Sequence, residues 1–309
     1  MSIADEVQFF HENGYLGPFK VYEEAEAEQL IRTVRRKNLD RSRALFNNEV
    51  NYDRHFDISE LSQHILHPAI VSRMNAILGA HLLCWRSEFF PKFPGTKGTE
   101  WHQVETFQYT TGNPQLVPTE RGPGGTIELT AWTVFTESDK ENGCLKFLPG
   151  SHRKWQFDES KTPKRGRAEG YNPVESETSF YGYDYEDFKI DPSWTPDEDK
   201  AEAMIMRPGE CVIFTAKCIH GSFPNTSKRR TRFAITTRYV PTTVKVYPER
   251  NEFHEHGGHF DLTNYGTVLV SGEDKHGYNR IRATDNLGDK FEWAPKENTE
   301  SAPAEIRSY

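Results

Sequence analysis

Residues 126–136 read T-I-E-L-T-A-W-T-V-F-T, a run of β-branched and aromatic residues with no helix-favouring spacing. R-G-P-G-G (121–125) precedes it and E-S-D-K-E-N-G (137–143) follows, so turn-forming residues bound it on both sides. Working outward, L-L-C-W-R-S-E-F-F (82–90), G-C-L-K-F-L-P-G (143–150), E-C-V-I-F-T (210–215) and R-F-A-I-T-T-R-Y-V (232–240) have the same character. Short strands at this spacing, without β-α-β alternation, predict a mainly β architecture of sandwich or barrel type.

The first 80 residues read differently. A-D-E-V-Q-F-F-H-E-N-G-Y (4–15) predicts a short amphipathic helix closed by Gly14. E-E-A-E-A-E-Q-L-I-R-T-V-R-R-K (23–37) places acids early and bases late, as the helix dipole favours. H-P-A-I-V-S-R-M-N-A-I-L-G (67–79) repeats apolar residues at helical spacing and stops at Gly79. The expected organisation is one catalytic domain over 1–309. It comprises a mostly helical part (1–80), a β core (81–240) with a long charged excursion at 153–203, and a C-terminal extension and tail (241–309). An excursion that long reads as a lid or binding segment.

Mean hydropathy is −0.77, but 13% of residues are aromatic, enough to carry a core. No apolar run reaches the ~20 residues that span a bilayer, and the start M-S-I-A-D-E-V does not read as a secretory signal. Four dispersed cysteines, Cys84, Cys144, Cys211 and Cys218, read as buried free thiols. The expectation is a cytoplasmic protein away from membranes, and the net charge of −8 argues against a nucleic-acid surface.

Among the twelve histidines, His102 lies in T-E-W-H-Q-V-E-T-F (99–107) and His220 ends E-C-V-I-F-T-A-K-C-I-H (210–220), with Arg232 twelve positions on. Two imidazoles and a later arginine fit non-haem iron oxygenases that use a 2-oxo acid: the imidazoles hold Fe(II) and the arginine forks onto a carboxylate. The same spacing also fits ordinary hydrogen-bonded histidines at strand ends. H-E-H-G-G-H (254–259) is a rival metal candidate, with His254 and His256 sharing a face and His259 after a Gly-Gly turn, while His55 and His152 read as structural.

Position 104, two residues after His102, would carry the metal-binding carboxylate of the facial triad and carries valine instead. Three readings stay open: an exogenous anion fills the vacated position, Glu105 swings inward, or the site is inactive.

N-Y-D-R-H (51–55), L-C-W-R-S-E-F-F-P-K-F-P-G (83–95), W-H-Q-V-E-T-F (101–107), the run W-T-V-F-T through F-L-P-G (132–150), G-Y-D-Y-E-D-F-K-I-D (182–191), R-Y-V-P-T-T-V-K-V-Y-P-E (238–249) and N-Y-G-T-V-L-V-S-G (264–272) carry a resemblance over roughly residues 8–292. The chain resembles the aliphatic halogenases within the phytanoyl-CoA dioxygenase superfamily, enzymes dependent on non-haem Fe(II) and 2-oxoglutarate and typified by a threonyl halogenase. The resemblance implies a double-stranded β-helix core (a cupin-like jelly roll) behind N-terminal helices. It implies Fe(II), 2-oxoglutarate, O2 and chloride as cofactors, with iron on His102 and His220 and chloride in the space that Val104 leaves.

Residue by residue, Thr99, Trp132 and Arg232 match positions around 2-oxoglutarate, and Thr130 and Arg238 match positions around chloride. Phe107 matches a substrate-pocket residue, whereas Tyr109 replaces an asparagine there and leaves the substrate open. Replacing one anionic ligand by another preserves the charge at the metal. The implied substrate is an aminoacyl thioester on a peptidyl carrier protein, or a free small molecule. K-T-P-K-R-G-R (161–167) and S-K-R-R (227–230) are candidate carrier contacts. A 2-oxoglutarate-dependent hydroxylase is the alternative.

Overall fold

The computed structural model describes residues 2–121, 123–161 and 185–294. Most of K-T-P-K-R-G-R, the start of G-Y-D-Y-E-D-F-K-I-D and the tail from 295 lie outside the described residues.

The helices form where local signals place them. α1 (Ile3–Asn13) starts on a Ser2–Asp5 capping box and ends at Gly14, whose φ of 84° suits a residue without Cβ. α2 (Glu24–Lys37) buries Ala27, Leu30, Ile31 and Val34 along one stripe. α3 (Ser59–Ile65) and α4 (Pro68–Leu78) follow, and a single turn, α5 (Gln108–Thr111), lies beyond them.

The strands in chain order are β1 (Tyr15–Lys20), β2 (Leu82–Lys92), β3 (Thr99–His102), β4 (Leu116–Pro118), β5 (Leu129–Val134), β6 (Leu145–Phe147) and β7 (Glu202–Ala203). Then come β8 (Glu210–Phe214), β9 (His220–Ser222), β10 (Arg232–Pro241), β11 (Val244–Val246), β12 (Glu252–Glu255), β13 (Gly258–Asp261) and β14 (Val268–Ser271).

One antiparallel sheet runs β1-β8-β5-β10-β2-β14 and a second runs β3-β9-β6-β7. β4 pairs with β11, and β12 with β13 as a hairpin. The two larger sheets face one another as a jelly roll of the cupin-like class and do not close into a barrel among the described residues. β1 comes from the N-terminal part and β14 from the C-terminal extension, so the large sheet draws on the whole chain.

Strand alternation assigns the two faces of the large sheet. From β5, Leu129 and Ala131 join Ile213, Ile235 and the apolar stripes of α2 and α4 in the outer core. The alternate residues, Thr130 and Trp132, face the second sheet and line a cleft, with Thr236 and Arg238 from β10 and Glu88 from β2. Register makes these neighbours: Arg238 opposes Thr130 and Arg86, and Thr236 opposes Trp132 and Glu88. Among the described residues no helix is long and apolar enough to cross a membrane. All four cysteines are buried and free, as expected.

Candidate active site

The two histidines of the sequence pattern meet on the smaller sheet. β3 pairs antiparallel with β9, and His102 is the direct cross-strand partner of His220, with ring centroids 4.2 Å apart. The expectation that His220 ends the strand starting at Glu210 is corrected. β8 stops at Phe214, a turn closed by Cys218 N–H on the Thr215 carbonyl (2.9 Å) reverses the chain, and His220 opens β9 on the other sheet. Gly221 permits the close pairing, because a Cβ there would sit 2.7 Å from the Thr99 carbonyl oxygen.

Each imidazole is oriented by its own backbone. His102 Nδ1 lies 2.8 Å from the Glu100 carbonyl and His220 Nδ1 lies 2.7 Å from the Cys218 carbonyl. A carbonyl only accepts, so both Nδ1 atoms carry the proton and each Nε2 keeps its lone pair, on the cleft side. Burial lowers the His102 pKa to about 4, against the Glu100 hydrogen bond, and holds His220 well below the ordinary value, helped by His102. Two neutral imidazoles on adjacent strands, their rings tilted by 52°, fit a divalent iron. Among the described residues no third His, Cys, Asp or Glu joins them to make a metal cluster.

Val104 is 4% exposed and lines the cleft, its N–H donated to the Ala216 carbonyl at 3.0 Å. Glu105 is elsewhere. Both its oxygens accept from Arg121 at 2.8 Å, a fork that faces away from the cleft lining. Glu159, at the start of the excursion, fixes that orientation by accepting from the backbone N–H groups of Glu105 (3.3 Å), Thr106 (2.9 Å) and Gln108 (3.4 Å).

Lining the same cleft as Val104, Arg238 donates to the Thr130 hydroxyl (2.8 Å) and to Glu88 (2.7 Å), and its guanidinium lies 4.8 Å from the centre of the Phe107 ring. The Thr130 hydroxyl in turn donates a hydrogen bond to Glu128 Oε1 at 2.8 Å. Burial raises the Glu128 pKa to about 7. It also opposes ionisation of Glu88, but Arg238 and Arg86 outweigh it and keep Glu88 below its usual value.

At the other end of the cleft Arg232 is 1% exposed and lies 4.8 Å from the Trp132 ring centre. Its cross-strand neighbour Lys92 donates to Ser222 Oγ (2.7 Å), which donates to Thr99 Oγ1 (3.0 Å). Burial, then Arg232, depresses the Lys92 pKa to about 6. Thr99, Trp132 and Arg232 thus come together around a basic end that fits a dicarboxylate. Lys92 and Ser222 were not singled out in the sequence. A lysine inside a β-run, at L-C-W-R-S-E-F-F-P-K, was the available signal, because charged residues are seldom fully buried without a role.

Phe107 and Tyr109 line the remaining wall with Tyr185, a residue of the excursion that stacks on His102 at 4.5 Å. H-E-H-G-G-H is not a metal cluster. His254 and His259 oppose each other across the β12–β13 hairpin and stack at 4.8 Å on its exposed face, and His259 pairs with Glu252 at 2.8 Å. His256 lies at the turn with φ 50° and lines the cleft, so it shares no face with His254. His55 is buried on Ser87 Oγ at 2.8 Å, in a structural setting, and half-buried His152 packs near Gly14. The free space inside the cleft is about 90 Å³.

A family model for phytanoyl-CoA dioxygenase (PhyH) matches residues 10–234, which include both histidines and Arg232. The chain belongs to the phytanoyl-CoA dioxygenase family. The crystallised protein CytC3, solved with Fe(II) and alpha-ketoglutarate, is 37% identical to this family member with a TM-score of 0.72, over 93% of this chain and 95% of that one. An ectoine dioxygenase from Bordetella parapertussis is 25% identical over 237 residues, 72% of this chain and 71% of its own. The carbocyclase SnoK of nogalamycin biosynthesis (24% identity, TM-score 0.55, 79% of this chain and 86% of that one) shares the fold. The chain is an iron- and 2-oxoglutarate-dependent oxygenase of the phytanoyl-CoA dioxygenase family.

Proposed function

We propose that this family member is a halogenase that chlorinates an unactivated aliphatic carbon of an aminoacyl group carried as a thioester on a peptidyl carrier protein. The observation that carries the reading is Val104: buried, in the cleft, and where the facial triad would have its carboxylate, while Glu105 is committed to Arg121. His102 and His220 would hold Fe(II) through Nε2. Arg232 would fork onto the far carboxylate of 2-oxoglutarate, with Thr99 and Trp132 as its walls. Chloride would sit against Val104, with Arg238 and Thr130 supplying the compensating cation and dipole that a buried anion needs.

Iron and 2-oxoglutarate, with O2, supply the oxidant that removes hydrogen from a C–H bond. The protein's share is placement. Val104 withholds a protein anion, Glu88 and Glu128 fix the Arg238–Thr130 pair, and Phe107, Tyr109 and Tyr185 exclude water and aim the substrate carbon.

Anaerobic crystals grown with Fe(II), 2-oxoglutarate and bromide test this directly. An anomalous peak beside Val104 is expected, and Glu105 bonded to the metal defeats the reading. The second reading, a hydroxylase of a small amino-acid-like molecule, draws on the likeness to ectoine dioxygenase. It requires turnover to be indifferent to halide and the product to gain oxygen.

A further inference from the structure

Directly after His102 the chain leaves the sheet. β3 ends at that residue, and among the described residues no strand ladder joins residues 103–108 to the start of the excursion. Side chains join the two segments instead, and they do so reciprocally. Gln103, 1% exposed, commits its whole amide to backbone. Its Oε1 accepts from the N–H groups of Gln156 (2.9 Å) and Phe157 (3.4 Å), and its Nε2 donates to the carbonyls of Lys154 (2.9 Å) and Lys217 (2.8 Å). Glu159 answers from the excursion: besides the N–H groups of Glu105, Thr106 and Gln108, its carboxylate accepts from the Thr106 hydroxyl at 2.7 Å. Side chain to backbone in both directions, the two residues make a clamp.

What the clamp holds is the wall of the cleft. Phe107 stands at φ 58° and ψ 28°, a left-handed conformation that a bulky side chain rarely enters. The residues on both sides of it, Thr106 and Gln108, donate to one carboxylate, which keeps the intervening backbone from relaxing. In that conformation the buried Phe107 ring meets Arg238 at 4.8 Å and Trp85 at 5.4 Å. A strained residue at a cleft wall marks a position held for its side chain. Val104 is bracketed by the same bonds, at Gln103 before it and Glu105 after it, while its own N–H is on Ala216. Thr99, Trp132 and Arg232 lie on β3, β5 and β10, outside the clamped segment. The clamp therefore governs one end of the cleft and not the other.

We propose that Gln103 and Glu159 are positioning residues for the halide: together they hold Val104 and the Phe107–Arg238 contact where an anion beside the iron would meet them. Neither residue touches the anion itself. The assignment rests on the halide reading of Val104 and adds to it that the start of the excursion sets halide affinity. Binding of 2-oxoglutarate, anchored on strands, is independent of it.

The test is anaerobic binding without turnover. Full-length protein loaded with Fe(II) and 2-oxoglutarate is titrated with chloride, and the visible absorbance of the iron–2-oxoglutarate complex is the probe. Glu159→Gln keeps the side chain's shape but turns an N–H donor towards backbone N–H groups, and Gln103→Met keeps the length without the hydrogen bonds. Each is expected to weaken chloride binding at least tenfold while 2-oxoglutarate affinity stays within threefold of wild type. The double variant is expected to bind chloride no more than threefold more weakly than the worse single one, because either loss opens the same clamp. Thr106→Val removes only the hydroxyl donor to Glu159, and its expected loss of at least threefold decides the matter if the other variants do not fold. Chloride affinity unchanged in the folded variants overturns the proposal, and so does an equal fall in chloride and 2-oxoglutarate affinity, which would make the clamp mere support for the fold. A wild-type protein that gives no chloride response overturns the halogenase reading together with this assignment. A wild-type response that survives in the variants overturns this assignment alone.

Discussion

Replacing Val104 by aspartate restores the carboxylate that the facial triad lacks, and the structure sets the size of the effect. The side chain is 4% exposed and faces the cleft. Without metal, Val104→Asp forfeits roughly 1.5 kcal/mol of apolar burial and leaves a charge with only partial compensation from Arg238. The total cost is about 3–5 kcal/mol. At roughly 2–4 °C per kcal/mol for a chain of about this size, the metal-free variant should melt some 6–20 °C below wild type. A metal held by three protein ligands reverses this. Saturation at about a hundred times Kd contributes ~2.7 kcal/mol, so Mn(II) with 2-oxoglutarate should return the variant at least half of the way to metal-free wild type. Differential scanning fluorimetry of both proteins, with and without Mn(II), reads the outcome. A metal-free variant that melts with wild type would show that residue 104 does not face a dry site. A gap that Mn(II) leaves intact would show that it does not face the metal, and the placement of chloride would fall with it.

Arg232→Met should weaken 2-oxoglutarate binding at least thirtyfold, the consequence of removing one partner of a buried charge pair worth about 2–5 kcal/mol, measured by anaerobic titration. Glu105→Gln should leave metal affinity within twofold of wild type by calorimetry with Mn(II), because Glu105 serves a half-exposed arginine; a larger loss would revive it as a ligand. Glu128, raised to about 7 by burial, is largely neutral in both folded and unfolded chains below pH ~4.5, and above that the unfolded chain gives up its proton while the folded one keeps it. Relative to Glu128→Gln, wild type should therefore lose stability as pH rises from about 4.5 to about 7, at up to ~1.4 kcal/mol per pH unit. Denaturant titrations at pH 5 and pH 8 check this, and a pH-independent difference would refute it.

The sequence made the helices and most core strands legible because their signals are local, in caps at Gly14 and Gly79 and in dense β-branched runs. β1 escaped because Y-L-G-P-F-K breaks alternation at Gly17-Pro18. The register of β1 on β8 shifts there, a break that an edge strand tolerates. His102, His220 and Arg232 stood out by residue type and order. What those could not reveal is which strands pair, and pairing is what brings Lys92 and Ser222 to Thr99 and Arg238 to Glu88, while Tyr185 reaches His102 from the excursion. A cluster of histidines suggested a metal, whereas the turn's reversal sends two of them to solvent and one into the cleft.

Seating His102 and His220 opposite one another on adjacent strands makes the β ladder the ruler of the iron centre. Neighbouring strands lie about 4.7–4.9 Å apart whatever loops adorn them, so the donor spacing is inherited from backbone geometry that loop evolution leaves untouched. The hairpin tip and the excursion can be lengthened, shortened or exchanged to suit a new substrate while the metal keeps its seat. Engineering for altered selectivity should begin there and leave Gly221 alone.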